Sequence, residues 1–208
     1  MIISCGDSFF YGCDLQNANS TWPAQIAQTL GHDYKCYAKP GVGNLQILQQ
    51  LISAQQHYGK EAIYAINWTW IDRFDYVSIE DELWHTVRPN LDNAIRDPIY
   101  YRYFHSELAD KFTNLIYIAQ SINLLKGHRY IITYMDHLLL DQQWHCPNYV
   151  RVLQDQIIPH LKSFDGETFL EWSRRNNYAE SNSWHPLEQA HTAAANWWLP
   201  TFKELLPG

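Results

Sequence analysis

The chain opens on a short apolar run, Met1-Ile2-Ile3, that stops at Gly6-Asp7-Ser8. An apolar run bounded by turn formers predicts a buried strand. Trp22, Ile26 and Leu30 then recur at helical spacing, with Ser20-Thr21 ahead of them, Pro23 inside the first turn and Gly31 as the stop. That combination predicts a helix. Tyr34 to Ala38 predicts a short second strand, Lys39 to Asn44 a glycine-bearing loop, and Leu45, Leu48, Leu51 and Ile52 a second helix closing near Tyr58-Gly59. Ala62 to Ile66 is continuously apolar, the pattern of a strand covered on both faces. The order β-α-β-α-β, with helices of crossover length, predicts a parallel sheet between two helical layers. The fold class is therefore a three-layer α/β/α, flavodoxin-like sandwich with about five strands.

From Ile71 to Tyr103 the periodicity is lost. Charges, aromatics, Pro89 and Pro98 intermix there, and the segment is read as an insertion of irregular or short helical structure, a candidate lid or specificity element. Regular pattern resumes with a helix from His105 to Leu125, a strand from Arg129 to Tyr134 and a helix from Tyr149 to Leu161. Thr168 to Trp172 reads either as the fifth strand or as the entry to a short helix, and a last helix begins near Pro186. No repeat or linker interrupts the pattern, so residues 1–208 form one domain.

Composition narrows the class. With 46% hydrophobic and 18% charged residues the chain is a globular protein rather than a disordered one. A net charge of −7 without a basic block argues against a nucleic-acid partner. No run approaches the roughly 20 apolar residues of a membrane span. The N-terminus has no signal-peptide pattern, which leads to the expectation of a cytoplasmic protein without membrane partners. Cys5, Cys13, Cys36 and Cys146 form no CxxC pair and are expected as reduced thiols, not zinc ligands. Gly41-Val42-Gly43 is followed by Gln46 where a dinucleotide loop needs its third glycine, and there is no P-loop. No cofactor and no metal are expected. Nine tryptophans and fourteen tyrosines suit a groove that stacks on a flat amphipathic ligand such as a sugar.

In an open parallel sheet, ligands bind beyond the carboxyl ends of the strands. The segments predicted there are Gly6-Asp7-Ser8, Gly41-Val42-Gly43-Asn44, Asn67-Trp68-Thr69-Trp70 and, before the last helix, Ser181-Asn182-Ser183-Trp184-His185-Pro186. A serine, a histidine and several hydrogen-bond donors at one rim are the ingredients of acyl transfer. These blocks, in this order, resemble the SGNH (GDSL-type) hydrolases: Gly6-Asp7-Ser8 matches the first block, a glycine after the second strand the second, and Asn182-Ser183-Trp184-His185-Pro186 the last.

The resemblance implies that Ser8 attacks a carbonyl carbon and His185 takes its proton. It implies oxyanion donors at the amides of Ser8 and Gly43, with Gly41 as the alternative glycine, and a structural role for Asp7. The chain departs from the family at two places. Thr69 stands where the third block has its oxyanion asparagine, so Thr69 or Asn67 would supply that donor. Asn182 stands at the triad aspartate, leaving Asn182, Glu180 or a main-chain carbonyl to orient His185. The family implies an ester or acylated-carbohydrate substrate, with Trp68, Trp70 and Trp184 as candidate walls, acting as an esterase or carbohydrate O-acetylesterase. Two alternatives share the site: a binding protein that has lost efficient catalysis, and an acyltransferase.

Overall fold

The computed structural model describes residues 1–89 and 96–206. Four parallel strands form the sheet: β1 (Ile2–Cys5), β2 (Tyr34–Cys36), β3 (Ile63–Trp68) and β6 (Arg129–Tyr134), in the order β2-β1-β3-β6. Ile2 pairs with both Tyr34 and Ile63, and Asn67 with Thr133. This is the order of a doubly wound sheet whose switch point lies between β1 and β3, where the chain leaves in opposite directions. All four residues of β1 and all six of β3 are buried, which is why they read as unbroken apolar runs.

Each face of the sheet carries its own core. On one side Ile3, Cys5, Tyr64 and Ile66 pack with Ile47 and Leu51 of α3 (Asn44–Tyr58) and Leu115 and Ile118 of α5 (Glu107–Leu124). On the other, Ile2, Ile63 and Ala65 pack with Trp22 and Ile26 of α2 (Trp22–Thr29), Phe169 and Trp172 of α7 (Phe169–Arg175), and Ala194 and Trp198 of α8 (Glu188–Glu204). The three-layer α/β/α sandwich follows from that division. Among the described residues no helix is long and apolar enough to cross a membrane.

Two expectations change and one open alternative is decided. The fifth strand shrinks to one parallel bridge, Ile132 with Leu161, after α6 (Asn148–Ile157). Thr168 to Trp172 instead opens α7 through a capping box, in which the Thr168 side chain accepts from the Glu171 amide and the Glu171 carboxylate from the Thr168 amide. The segment after β3 is ordered as an antiparallel hairpin, β4 (Phe74–Val77) with β5 (Trp84–Val87), followed by α4 (Arg96–Tyr103). The hairpin hid from the pattern because its inward face is polar. Buried Asp75 sits opposite Thr86 and accepts from its hydroxyl at 2.6 Å. Residues 90–95 of the expected insertion lie outside the described residues.

Candidate active site

The Gly6-Asp7-Ser8 turn sits at the carboxyl end of β1 and is held from three sides. The Gln50 side chain of α3 clamps Gly6, accepting from its amide at 2.8 Å and donating to its carbonyl at 3.1 Å. Asp7, fully buried, accepts from the Phe9 amide at 3.1 Å and the Thr69 hydroxyl at 2.7 Å, and faces Arg73 at 3.5 Å. It is an N-cap for the four-residue α1 (Ser8–Tyr11), matching the structural role expected of it. Gly12 then turns left-handed (φ 86°), where an added Cβ would meet the Ala18 carbonyl at 2.8 Å. Asp14 follows, also left-handed at φ 66°, a conformation that aspartate tolerates better than most residues.

The second half of the site is a tight loop before α8. The Trp184 amide donates to the Ser181 carbonyl at 3.0 Å and the Ser181 amide to the His185 carbonyl at 2.9 Å. Trp184 itself is left-handed at φ 64°, strain for a bulky residue, and is 66% exposed.

These two pieces meet. His185 Nε2 lies 2.9 Å from Ser8 Oγ, and His185 Nδ1 lies 2.7 Å from Asp14 Oδ2. With Nδ1–H donating to the carboxylate, Nε2 is left to accept from the Ser8 hydroxyl. The hydroxyls of Ser181 (2.6 Å) and Ser183 also donate to Asp14 Oδ2. Those hydroxyls, together with the His185 contact, hold the Asp14 carboxyl well below the usual carboxylate range, so it stays ionised. Phe9 packs edge-on to the imidazole at 5.1 Å between ring centres, which limits its rotation.

The orienting position beside His185 is therefore filled by Asp14, and not by Asn182, which is exposed and makes no hydrogen bond to His185. Glu180, the other side chain considered, is paired with Arg174 at 3.0 Å. The physical reason is local. The Ser181–His185 turn directs the Ser181 and Ser183 hydroxyls toward the imidazole's Nδ1 edge, where both donate to the Asp14 carboxylate, while the Asn182 side chain stays exposed. Asp14 is only six residues beyond Ser8, on the loop leaving the same strand. Its sole sequence signal was that proximity, an acid just past the serine's helix at the same rim.

The expected oxyanion donors are largely committed elsewhere. The Gly43 amide donates to Asp75 Oδ1 at 2.9 Å, because Asp75 caps the N-terminus of α3 and also accepts from the Gln46 amide at 2.9 Å. Thr69 is fully buried and its single hydroxyl proton goes to Asp7. Asn67, 1% exposed, accepts from Thr133 at 2.8 Å, and its Nδ2 has no partner among the described residues. Gly41, the alternative glycine, does line the cavity that contains Ser8.

That cavity has a volume of about 620 Å³ and is bordered by Ser8, Phe9, Gly41, Trp70, Arg73, Arg88, Asn182, Trp184 and His185, within the range of small-ligand sites. Trp70 and Trp184, two of the candidate walls, line that cavity. Trp68 does not: it is fully buried against the α3–α5 side of the sheet, because strand alternation turns it inward with Ile66. Arg73 lies 4.7 Å over the Trp70 ring. His191, one helical turn into α8, is packed against Phe169 and accepts from the Trp22 amide at 3.1 Å, finishing the start of α2.

No family model and no curated protein matches the sequence. Solved structures do match. TesA aligns over 99% of this chain and 99% of its own at 16% identity and a TM-score of 0.54. A member of the lipolytic protein G-D-S-L family from Veillonella parvula aligns over 97% of each chain at 13% identity and a TM-score of 0.54. A carbohydrate esterase family 2 enzyme from Corynascus thermopiles aligns over 98% of this chain and 65% of its own, at 14% identity and a TM-score of 0.54. At these identities the likeness is one of fold. The chain, with its parallel sheet, its serine turn after β1 and its histidine loop before the last helix, has the fold of the GDSL-type (SGNH) lipolytic proteins.

Proposed function

We propose that the protein is a serine ester hydrolase that works through a covalent acyl-enzyme on Ser8. The observation that carries this reading is the unbroken path Ser8 Oγ–His185–Asp14 at the edge of an open cavity. Ser8 Oγ attacks the ester carbonyl as its proton passes to His185 Nε2, and the Asp14 carboxylate stabilises the imidazolium that forms. The proton then goes to the leaving alcohol, and water repeats the sequence on the acyl-enzyme.

For the oxyanion, the amides of Ser8 and Gly41 are the best candidates, since neither has an acceptor among the described residues. The exposed Trp184 ring and the Trp70 face favour a flat amphipathic substrate, an acylated carbohydrate in preference to a long lipid chain. The fold neighbour described as a carbohydrate esterase supports that preference. The binding-only alternative drew on Asn182 and Thr69; Asp14 at the imidazole answers the first, while the Thr69 hydroxyl is committed to Asp7. An acyltransferase would use the same three residues with an alcohol in place of water.

The test is hydrolysis of 4-nitrophenyl acetate by wild type, Ser8→Ala and His185→Ala. A Ser8-dependent rate supports the reading, and equal rates in all three proteins overturn it. Labelling by a fluorophosphonate should map to Ser8 and vanish in Ser8→Ala.

A further inference from the structure

Asp14 supplies the acid of the Ser8–His185–Asp14 line, yet the groups that aim it lie on the other loop. The Asp14 side chain is 38% exposed. Among the described residues, the hydrogen bonds to its carboxylate all come from the Ser181–His185 turn. The Ser181 hydroxyl, the Ser183 hydroxyl and His185 Nδ1 converge on one oxygen, Oδ2, with the two hydroxyls 3.1 Å apart.

Counting protons fixes the direction of each contact. A serine hydroxyl has one proton and two lone pairs. Ser181 Oγ accepts from the amides of Ser183 and His185, at 3.2 Å each, so its own proton goes to Asp14 at 2.6 Å. Ser183 gives its proton to the same oxygen, and its lone pairs face His185 Nδ1 at 3.2 Å. The ring N–H is thus shared between the carboxylate and a hydroxyl already bound to that carboxylate. A protonated acid at Oδ2 would set its own O–H against both serine protons, in keeping with a carboxyl held well below its usual range. Released from the serines, an exposed aspartate has other staggered rotamers open to it, with water to bind in each. Two charge-assisted hydrogen bonds hold it on the Nδ1 edge instead.

We propose that Ser181 and Ser183 are positioning residues of the reaction: their hydroxyls hold the Asp14 carboxylate against His185 Nδ1 and so fix the tautomer that leaves Nε2 free to take the Ser8 proton. The proposal rests on the esterase reading and extends its chain of contacts by two residues, so that one loop supplies the acid and the other aims it.

Ser183 is the cleaner probe, because Ser181 also accepts the two amides that shape the turn. Ser183→Ala should lower kcat for 4-nitrophenyl acetate by about five- to tenfold with KM little changed, the scale of one hydrogen bond to a partly exposed charge. Ser183→Thr, which keeps the hydroxyl, should recover most of that rate. In an Asp14→Ala background the same Ser183→Ala change should cost less than about twofold, because a residue that acts through Asp14 then has nothing to act on. Nitrogen NMR of the His185 ring at alkaline pH reports which nitrogen holds the proton. Wild type should show Nδ1–H, and Ser181→Ala/Ser183→Ala a mixture of the two tautomers, with circular dichroism confirming the fold. Ser183→Ala alone gives the same reading if the double variant does not fold.

A Ser8-dependent rate that Ser183→Ala leaves unchanged, or lowers equally with and without Asp14, overturns the positioning role and leaves the esterase standing. If no ester is turned over, the esterase reading fails, and the tautomer decides the positioning role by itself. A shift from Nδ1–H toward Nε2–H on loss of the hydroxyls supports it, and the same tautomer in wild type and variant overturns it.

Discussion

Replacing Asp14 by asparagine removes one charge and keeps the shape of the side chain. The carboxylate contacts His185 Nδ1 at 2.7 Å, with the two charge centres about 4 Å apart once the imidazole is protonated. Such a pair attracts by about 4 kcal/mol at an effective dielectric near 20 and about 1 kcal/mol in bulk water. The Asp14 side chain is 38% exposed, so solvent screening sets the value between these limits, about 2 kcal/mol or roughly 30-fold in rate.

An amide also risks presenting its NH₂ to Nδ1 and selecting the wrong tautomer, which costs about 10⁴-fold in a buried serine-protease triad. Here the Ser181 and Ser183 hydroxyls favour an oxygen at that position and limit the tautomer loss. Asp14→Asn is therefore expected to lower kcat for 4-nitrophenyl acetate by about 30- to 1000-fold with little change in KM. Asn182→Ala and Asn182→Asp should each stay within about twofold of wild type, as exposed side chains without a contact to the reacting groups do. A loss of less than about threefold in Asp14→Asn, or an equal loss in Asn182→Ala, would refute the assignment of Asp14 to His185.

Two further outcomes concern stability. Burial lowers the His191 imidazole from its ordinary 6.5 to about 3, so the folded protein keeps it neutral while the unfolded chain binds a proton. Its contribution is complete above pH 6.5 and is lost progressively as pH falls toward 3. His191→Gln, which retains an acceptor for the Trp22 amide, should flatten the fall of Tm across that window in thermal unfolding by circular dichroism. An unchanged slope would mean that other groups cause the acid sensitivity. Asp75→Ala strips four donors of their acceptor, the Gly43 and Gln46 amides, the Gln46 side chain and the Thr86 hydroxyl. It should cost about 2–4 kcal/mol in urea unfolding at unchanged m-value, and a loss below about 0.5 kcal/mol would show that the cap is replaced by water.

The sequence alone determined the layers of this protein and the two ends of its candidate site. Apolar runs at β1 and β3, helical spacing at α2 and α3, and the turn residues between them are local signals, each set by a residue's own neighbours in the chain. Ser8 and His185 were legible for the same reason, since each belongs to a short block next to a predicted element boundary. Tertiary structure decided the partners. Asp14 reaches His185 across 171 positions because α8 packs beside α2 and carries the histidine loop to the β1 rim. Asp75 takes the Gly43 amide because a hairpin with a polar inner face folds over the start of α3, and a polar face leaves no hydrophobic period to read. Trp68 and Trp70 look alike in the chain, and alternation alone would put both on one face; β3 ends at Trp68, which packs with the α3–α5 layer, and Trp70, past the strand's end, turns to the cavity. Hydrogen-bond partners are set by where packing brings the chain together, and a spacing rule taken from one loop does not contain that information.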